Sequence, residues 1–344
     1  MIILLFSLIT IILSQIIDFS SRKNQIGFFL SIICFLAVTI NIEYTADWIN
    51  YSRIFNDKNR ETKDFFIKYI SVLFANIGLE YKNVFQLHII LIAIFYTFFA
   101  KKFLLNPFLV VIFFLFLTYV PLVNQIRYFV AFSFFLFAIH NFYIGDKKKF
   151  YLFAILALLN HIGTFPLFVI LFFLKRDLKI KYYLGAAIAI YIVMYGIMSV
   201  SYLSELGGFN IYIKEEMRTS FLGGLLKILP SIIFVLLILR LKQTNLPSYQ
   251  STFLYRVSLF PIVFIPSATL TQIIGDRYVF IFSFIWLIFI FQKVYYNKKY
   301  MLFYKILMLI FVFMIWFIMY YLPVILFGQS HLLDELVKTF DSQF

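Results

Sequence analysis

Long apolar runs, separated by short polar connections, follow one another along the whole chain. A run of about 18 or more apolar residues can cross the hydrocarbon core of a bilayer, which is about 30 Å thick. The apolar positions are continuous rather than alternating, so the runs are predicted to be helices and not the strands of a barrel. They can be drawn at about residues 1–17, 24–42, 84–100, 103–122, 128–145, 150–174, 182–203, 221–241, 253–274, 278–292 and 301–327. The pattern predicts an all-α polytopic membrane protein with about 11–12 transmembrane segments, forming a single integral membrane domain over residues 1–344.

Composition agrees with a membrane protein and excludes several other classes. Of the 344 residues, 63% are hydrophobic and 13% are charged, whereas soluble proteins carry roughly a quarter charged residues. Cys34 is the single cysteine, which excludes an intrachain disulfide and a cysteine-based metal site. We therefore expect no metal and no cofactor. The first run lacks a basic leading segment, so it is expected to be a retained helix and not a signal peptide.

The net charge of +14 lies in short basic clusters between the apolar runs. Such clusters remain in the cytoplasm and so indicate the orientation of the chain. They are also typical of contact with membrane lipid, and we expect no nucleic acid as a partner. In the resulting threading both termini face outward, as do the loops 43–83 and 204–220. The cytoplasmic connections are too short for a nucleotide-binding domain, which excludes an ATP-driven pump on this chain alone.

Residues 150–174 do not fit this threading as one simple crossing. A single span would place Lys147–Lys149 and the basic residues of 175–181 on opposite sides of the membrane. A short or re-entrant helical hairpin that turns near His161–Pro166 would keep both clusters in the cytoplasm. Gly163 and Pro166 favour such a turn, because glycine relaxes the backbone and proline lacks an N–H group. One long, proline-kinked span is the alternative.

The outward loop 43–83 begins with the stretch EYTADWINYSRIF. If this stretch is helical, Asp47, Tyr51 and Phe55 lie on one face, because they are four residues apart. Such a helix could hold the Asp47 carboxylate over a cavity. Alternatively, it is an amphipathic helix at the membrane interface, anchored by its tyrosines and Trp48. Further along the same loop, residues 65–79 predict an interfacial amphipathic helix.

Two arginines stand at the outward starts of predicted helices. Arg127 lies in PLVNQIRYFVAF and Arg277 in TQIIGDRYVFIF. An arginine beside the free N–H groups of a helix N-terminus forms an anion site. A diphosphate needs more than one cationic donor, so the two arginines with His161 and Asp47 favour such a ligand. The alternatives are that Arg127 reaches for water and that Asp276 pairs with a basic neighbour.

Taken in order, these stretches resemble the EpsG-like polysaccharide polymerases of the Wzy type. DWINYSRIF resembles the family's D-x-x-x-Y-x-x-x-F stretch, and NQIRYFVAFSFFLFAIH resembles its R-x-x-x-A helix, matched at Arg127 and Ala131. LALLNHIGTFPLFVI is similar to the family's histidine motif, matched at His161, and GDRYVFIF to its last outward arginine, matched at Arg277. The family's glycine-containing element before the aspartate is replaced here by NIEYTAD, and its frequent R-Q pair by Arg127 and Tyr128.

The resemblance implies a glycosyltransferase that joins oligosaccharide repeat units carried on undecaprenyl diphosphate. It implies action on the outer face of a bacterial plasma membrane, with a chain-length regulator and a flippase as further partners. Arg127 and Arg277 would bind the diphosphate, and His161 or Asp47 would take the proton of the acceptor hydroxyl, with His161 preferred. The substrate-binding candidates are Tyr51, Gln125, Asn160 and Tyr278.

Two other classes of membrane protein compete with the polymerase. A flippase or other transporter of lipid-linked oligosaccharides would show internal repeats and charges on both faces of a central cavity, and we find no convincing repeat. A membrane acyltransferase that modifies surface polysaccharide would carry a histidine early in the chain, whereas the first one here is His88.

Overall fold

The computed structural model describes residues 46–56, 64–104, 124–199, 221–241, 249–270 and 274–295, together with isolated positions elsewhere. Every regular element in these ranges is helical. The α-helices are α1 Ala46–Asn56, α2 Phe65–Asn76, α3 Tyr81–Lys101, α4 Ile126–Ile144, α5 Lys147–Asn160, α6 Leu171–Leu174, α7 Ile180–Ser199, α8 Phe221–Leu241, α9 Tyr249–Leu259 and α10 Ser283–Tyr295.

Four helical stretches in the described residues are long and apolar enough to cross a membrane. They are Tyr81–Lys101, Ile126–Ile144, Ile180–Ser199 and Gly275–Lys293. The prediction of an all-α polytopic membrane protein is confirmed. Runs predicted at 1–17, 24–42, 103–122 and 301–327 lie wholly or largely outside the described residues, as does the loop 204–220.

The predicted run 150–174 is interrupted at His161. Helix α5 ends at Asn160, and His161 has an extended backbone with φ −159° and ψ 112°. A 3-10 helix then covers Ile162–Ile170 and leads into α6. Pro166 lies inside this 3-10 helix, where a ring without an N–H group would interrupt an α-helix. The expected break in the helix is confirmed, and the return of the chain to the same side of the membrane stays a prediction.

The predicted run 253–274 differs from the structure more strongly. Its α-helix α9 ends at Leu259, and two 3-10 helices follow at Phe260–Val263 and Pro266–Thr269. Both 3-10 helices carry a proline at their first or second position, Pro261 and Pro266. Hydropathy alone missed this change because the apolar residues around both prolines keep the run continuous, while each proline interrupts the α-helix.

The described residues form two compact units that divide between Phe168 and Val169. The domain prediction, one membrane domain over 1–344, stays a prediction. In the first unit α4 is the central helix, since all of its side chains from Ile126 to Ile139 are buried. It packs against α3 and α5, and Tyr96 of α3 donates to the Phe129 carbonyl of α4 at 3.2 Å.

The first unit contains the tight turn that joins α4 to α5. Gly145 ends α4 in the left-handed region with φ 86°, which side chains other than glycine rarely adopt. Asp146 then caps α5, and its carboxylate accepts the Lys149 N–H at 3.1 Å. This turn lets α5 pack along α4, and it places the end of α5, with His161, beside the first turn of α4.

The second unit has its own aromatic core around α10. Trp286 is fully buried, stacks on Phe234 of α8 with 4.9 Å between ring centroids, and donates its indole N–H to the Ser258 carbonyl at 2.8 Å. Because a buried indole N–H needs an acceptor, this bond fixes α9 beside α10. The unit also contains Gly275–Val279, a short π-helix that precedes α10.

Helix α2 has an unusual distribution of side chains. Its exposed face is apolar, since Phe65, Tyr69 and Leu73 are each more than half exposed. The buried residues of the helix are Ile67 and Ser71. An exposed apolar face is what lipid contact at a membrane interface requires. The predicted helix over 65–79 is therefore present as Phe65–Asn76, and its position at the interface stays a prediction.

Candidate functional site

Arg127 is the centre of a buried polar cluster in the first unit. It lies in the first turn of α4 and is 9% exposed. One terminal nitrogen donates to the Asp64 carboxylate, and the other donates to the hydroxyl of Tyr51. The guanidinium also lies over the Tyr51 ring, 3.7 Å from its centroid. The guanidinium is bound by protein groups and does not extend to water, so the alternative in which Arg127 reaches the aqueous phase does not apply to this conformation.

Asp64 is a member of this cluster that sequence analysis missed. It occupies the N-cap position of α2, where an aspartate ordinarily accepts a backbone N–H of its own helix. Here the side chain makes no capping bond, because its carboxylate pairs with Arg127. Both side chains are buried, and a buried charge requires such a partner. The sequence signal, an aspartate just before an apolar helix, is indistinguishable from an ordinary cap.

Helix α1 supplies Tyr51 to the cluster. The helix covers Ala46–Asn56, so the stretch that carries Asp47, Tyr51 and Phe55 is helical, which was the condition for their common face. Trp48 fixes α1 to the beginning of α3 through edge-to-face contacts with Tyr81 and Phe85 at 4.8 and 5.1 Å. The side chain of Asp47 lies outside the described residues, and its catalytic role stays a prediction.

His161 lies where α5 ends, and its ring is oriented by the backbone that follows. The Gly163 N–H donates to Nδ1 of His161 at 2.9 Å. A nitrogen that accepts a hydrogen bond carries a lone pair, so the neutral ring has its proton on Nε2. The ring also meets Tyr128 edge-to-face at 5.3 Å, and Tyr128 follows Arg127 in α4. His161 therefore presents an N–H donor through Nε2.

Gly163 is required by this arrangement for a reason other than backbone flexibility. A Cβ atom at this position would lie 2.7 Å from Cε1 and 2.8 Å from Nδ1 of His161. Such distances are shorter than any stable van der Waals contact. The missing side chain of Gly163 thus provides the space that the imidazole occupies.

Gly163→Ala is expected to displace the His161 ring and to lower any activity that depends on it by about the same factor as removing the histidine, roughly 10²-fold. The measurement is the activity per mole of membrane-extracted protein. Gly185→Ala on α7 is the matched control, since nothing lies within 4 Å of the added Cβ there. Equal activity of the two variants would show that the position of the His161 ring is unimportant.

Asn160 and Gln125, two predicted substrate-binding residues, also lie in the first unit. Asn160 is 1% exposed and donates to the Leu156 carbonyl at 2.8 Å, while its Oδ1 is buried without a hydrogen-bond partner among the described residues. Gln125 is half-buried at the N-cap position of α4 and makes no side-chain cap. Asn160 therefore retains an acceptor oxygen that the described residues leave unused.

Arg277 and Tyr278 belong to the second unit and lie in the π-helix Gly275–Val279. Short π-helical turns frequently mark functional sites. Both side chains are half-buried, and Tyr278 stacks on Phe264 with 5.1 Å between ring centroids. The structure thus brings Arg127 together with Tyr51 and Asp64, and His161 together with Tyr128. Arg277 belongs to the second unit.

Comparison with known proteins identifies the family of this chain. No curated protein and no solved structure matches it. The model of the EpsG family matches residues 26–330, which include Arg127, His161 and Arg277. This match covers most of the chain and confirms the resemblance seen in the sequence. The protein belongs to the EpsG family.

Proposed function

We propose that this protein is a polysaccharide polymerase, a glycosyltransferase that joins oligosaccharide repeat units carried on undecaprenyl diphosphate. Membership of the EpsG family supports an exopolysaccharide-associated polymerase. The described spans support a membrane location. The lipid-linked donor, the lipid-linked acceptor and the outward orientation of the site in a bacterial plasma membrane are parts of the proposal.

The observation that carries the proposal is the buried pair of Arg127 and Asp64. The carboxylate of Asp64 occupies the place beside the guanidinium where an anionic ligand would bind. Arg127 Nε is buried and has no hydrogen-bond partner among the described residues, so one more N–H remains for a ligand. A diphosphate carries more charge and more acceptor oxygens than one carboxylate, and it would displace Asp64 from the arginine.

The chemistry needs no cofactor. The acceptor hydroxyl oxygen forms a bond to the anomeric carbon of the donor, its O–H bond breaks as the proton passes to a basic side chain, and the bond from the anomeric carbon to the diphosphate oxygen breaks. Negative charge then develops on the leaving diphosphate. Arg127 and Arg277 stabilise that charge, and the Nε2–H of His161 adds a hydrogen-bond donor. Tyr51, Gln125, Asn160 and Tyr278 are proposed to contact the substrate.

The arginine variants test this function directly. Purified protein in vesicles is given lipid-linked repeat units, and the products are separated on a gel. We expect a ladder of chain lengths from the wild type, and loss of the ladder from Arg127→Ala and from Arg277→Ala. Arg176→Ala, which removes an exposed arginine, is expected to leave the ladder unchanged. A normal ladder from either of the first two variants would remove that arginine from the mechanism.

A further inference from the structure

His88 is a buried histidine of α3 that the family resemblance does not assign to the site. It is 1% exposed, and its Nδ1 lies 2.7 Å from the Val84 carbonyl oxygen, one turn earlier in the helix. A carbonyl oxygen can only accept, so Nδ1 must carry the hydrogen. In the neutral ring Nε2 therefore has a free lone pair. That nitrogen is buried and has no hydrogen-bond partner among the described residues.

The surroundings of His88 connect it to the Arg127 cluster. The Phe66 ring of α2 meets the imidazole edge-to-face at 5.6 Å. Phe66 lies two residues after Asp64, the carboxylate that pairs with Arg127. A buried polar atom without a partner calls for an explanation, and its position beside this cluster suggests a catalytic one.

We propose that Nε2 of His88 accepts the proton of the acceptor hydroxyl during glycosyl transfer. The proposal rests on the polymerase function proposed above. As the acceptor oxygen bonds to the anomeric carbon, its O–H bond breaks and the proton moves to Nε2, while the bonding electron pair of the donor leaves with the diphosphate. The resulting imidazolium later returns the proton to water.

The backbone partners of His88 and His161 give the two rings opposite hydrogen-bonding roles at Nε2. Nδ1 of His161 accepts the Gly163 N–H, which leaves a donor at Nε2. Nδ1 of His88 donates to Val84, which leaves an acceptor at Nε2. A base must present a lone pair to the proton that it removes. His88 fulfils this condition without a change of tautomer, whereas His161 would first have to lose its bond to Gly163.

Access to His88 follows from the same cluster. Phe66 covers the imidazole, and the pairing of Asp64 with Arg127 holds the beginning of α2 in place. A diphosphate that displaces Asp64 from Arg127 would release this end of the helix and expose Nε2. Binding of the donor would then precede deprotonation of the acceptor.

The test replaces His88 by asparagine. Asn141 and Asn160 of this chain donate through Nδ2 to the carbonyl four residues earlier, at 2.7 and 2.8 Å. His88→Asn can therefore keep the bond to Val84 while it removes the basic nitrogen. The matched control is His140→Asn, at the opposite end of α4 from Arg127, where the imidazole packs on the rings of Phe99 and Phe103. Initial elongation rates and retention of radiolabelled lipid-linked repeat units are measured in vesicles.

His88→Asn is expected to retain the lipid-linked unit and to elongate it at least about 100-fold more slowly, the contribution typical of a general base. His140→Asn is expected to elongate normally. Wild-type rates from His88→Asn would overturn the proposal and leave the polymerase function standing. If that variant does not fold, His88→Gln, which also lacks a basic nitrogen, decides the matter in the same way. Failure of the wild type to elongate would contradict the polymerase function itself.

Discussion

Exchanging the charges of Arg127 and Asp64 is expected to restore a folded membrane protein without restoring the polymer. Each single variant, Arg127→Asp or Asp64→Arg, leaves two like charges together in a buried site. Breaking a buried pair costs about 3–5 kcal/mol, so both single variants should reach the membrane poorly. The double variant recovers an opposite pair, and its amount in the membrane should recover with it. Its cation, however, then projects from the start of α2 instead of from α4.

The measurements are the amount of monodisperse protein extracted from membranes and the elongation of lipid-linked repeat units per mole of that protein. Lys149→Ala is the control, because it removes one partner of the exposed pair with Asp146, and exposed pairs contribute little. It should change neither quantity. Recovery of polymer by the double variant would mean that the pair only fastens α2 to α4, and that Arg127 does not bind the diphosphate.

Three substitutions of His161 are expected to separate hydrogen-bond donation from proton acceptance. His161→Ala should lower the elongation rate by about 10²-fold, the usual effect of removing one donor to a developing negative charge. His161→Gln should recover part of this loss, because its amide nitrogen reaches the position of Nε2 and still donates. His161→Asn should not, because its shorter side chain ends near the position of Nδ1. The measurement is the initial elongation rate at saturating acceptor.

The glutamine variant decides between the two roles. An amide cannot accept a proton at neutral pH, so a rate equal to that of His161→Ala would support the proton-acceptor role expected from the sequence. A partial recovery supports the donor role indicated by the bond from Gly163. An unchanged rate in all three variants would assign His161 to packing against Tyr128.

Several features followed directly from local sequence. The continuous apolar runs gave the class of fold, because a backbone in lipid must satisfy its own hydrogen bonds. The spacing of Asp47, Tyr51 and Phe55 would place the three residues on one face of a helix, and the structure has such a helix at Ala46–Asn56. The glycine and proline after His161 correctly predicted a break. All three are properties of residues close together in the chain.

Local sequence did not reveal three features of the site that depend on the positions of individual atoms. Asp64 reads as a helix cap, yet its carboxylate pairs with Arg127, 63 residues away. His88 lies within an apolar run and resembles a packed residue, and only the structure shows that its Nδ1 donates to Val84 and that its buried Nε2 has no hydrogen-bond partner among the described residues. Similarly, Gly163 reads as a flexible residue, while the structure shows that its missing Cβ makes room for a ring.

The sequence by itself determined that this protein is an all-α membrane protein of the EpsG type, because apolar runs and the order of motifs can be read from consecutive residues. The tertiary structure decided which polar groups meet and which atoms they leave free. Arg127 could bind water, lipid or a carboxylate, and the packing of α1, α2 and α4 selects Tyr51 and Asp64. His88 and His161 carry identical side chains, and opposite hydrogen bonds at Nδ1 make Nε2 an acceptor in His88 and a donor in His161. The partners of Arg127 lie 63 and 76 residues away in the chain, so only the tertiary structure could bring them to it, whereas the backbone around each histidine fixes its hydrogen bond.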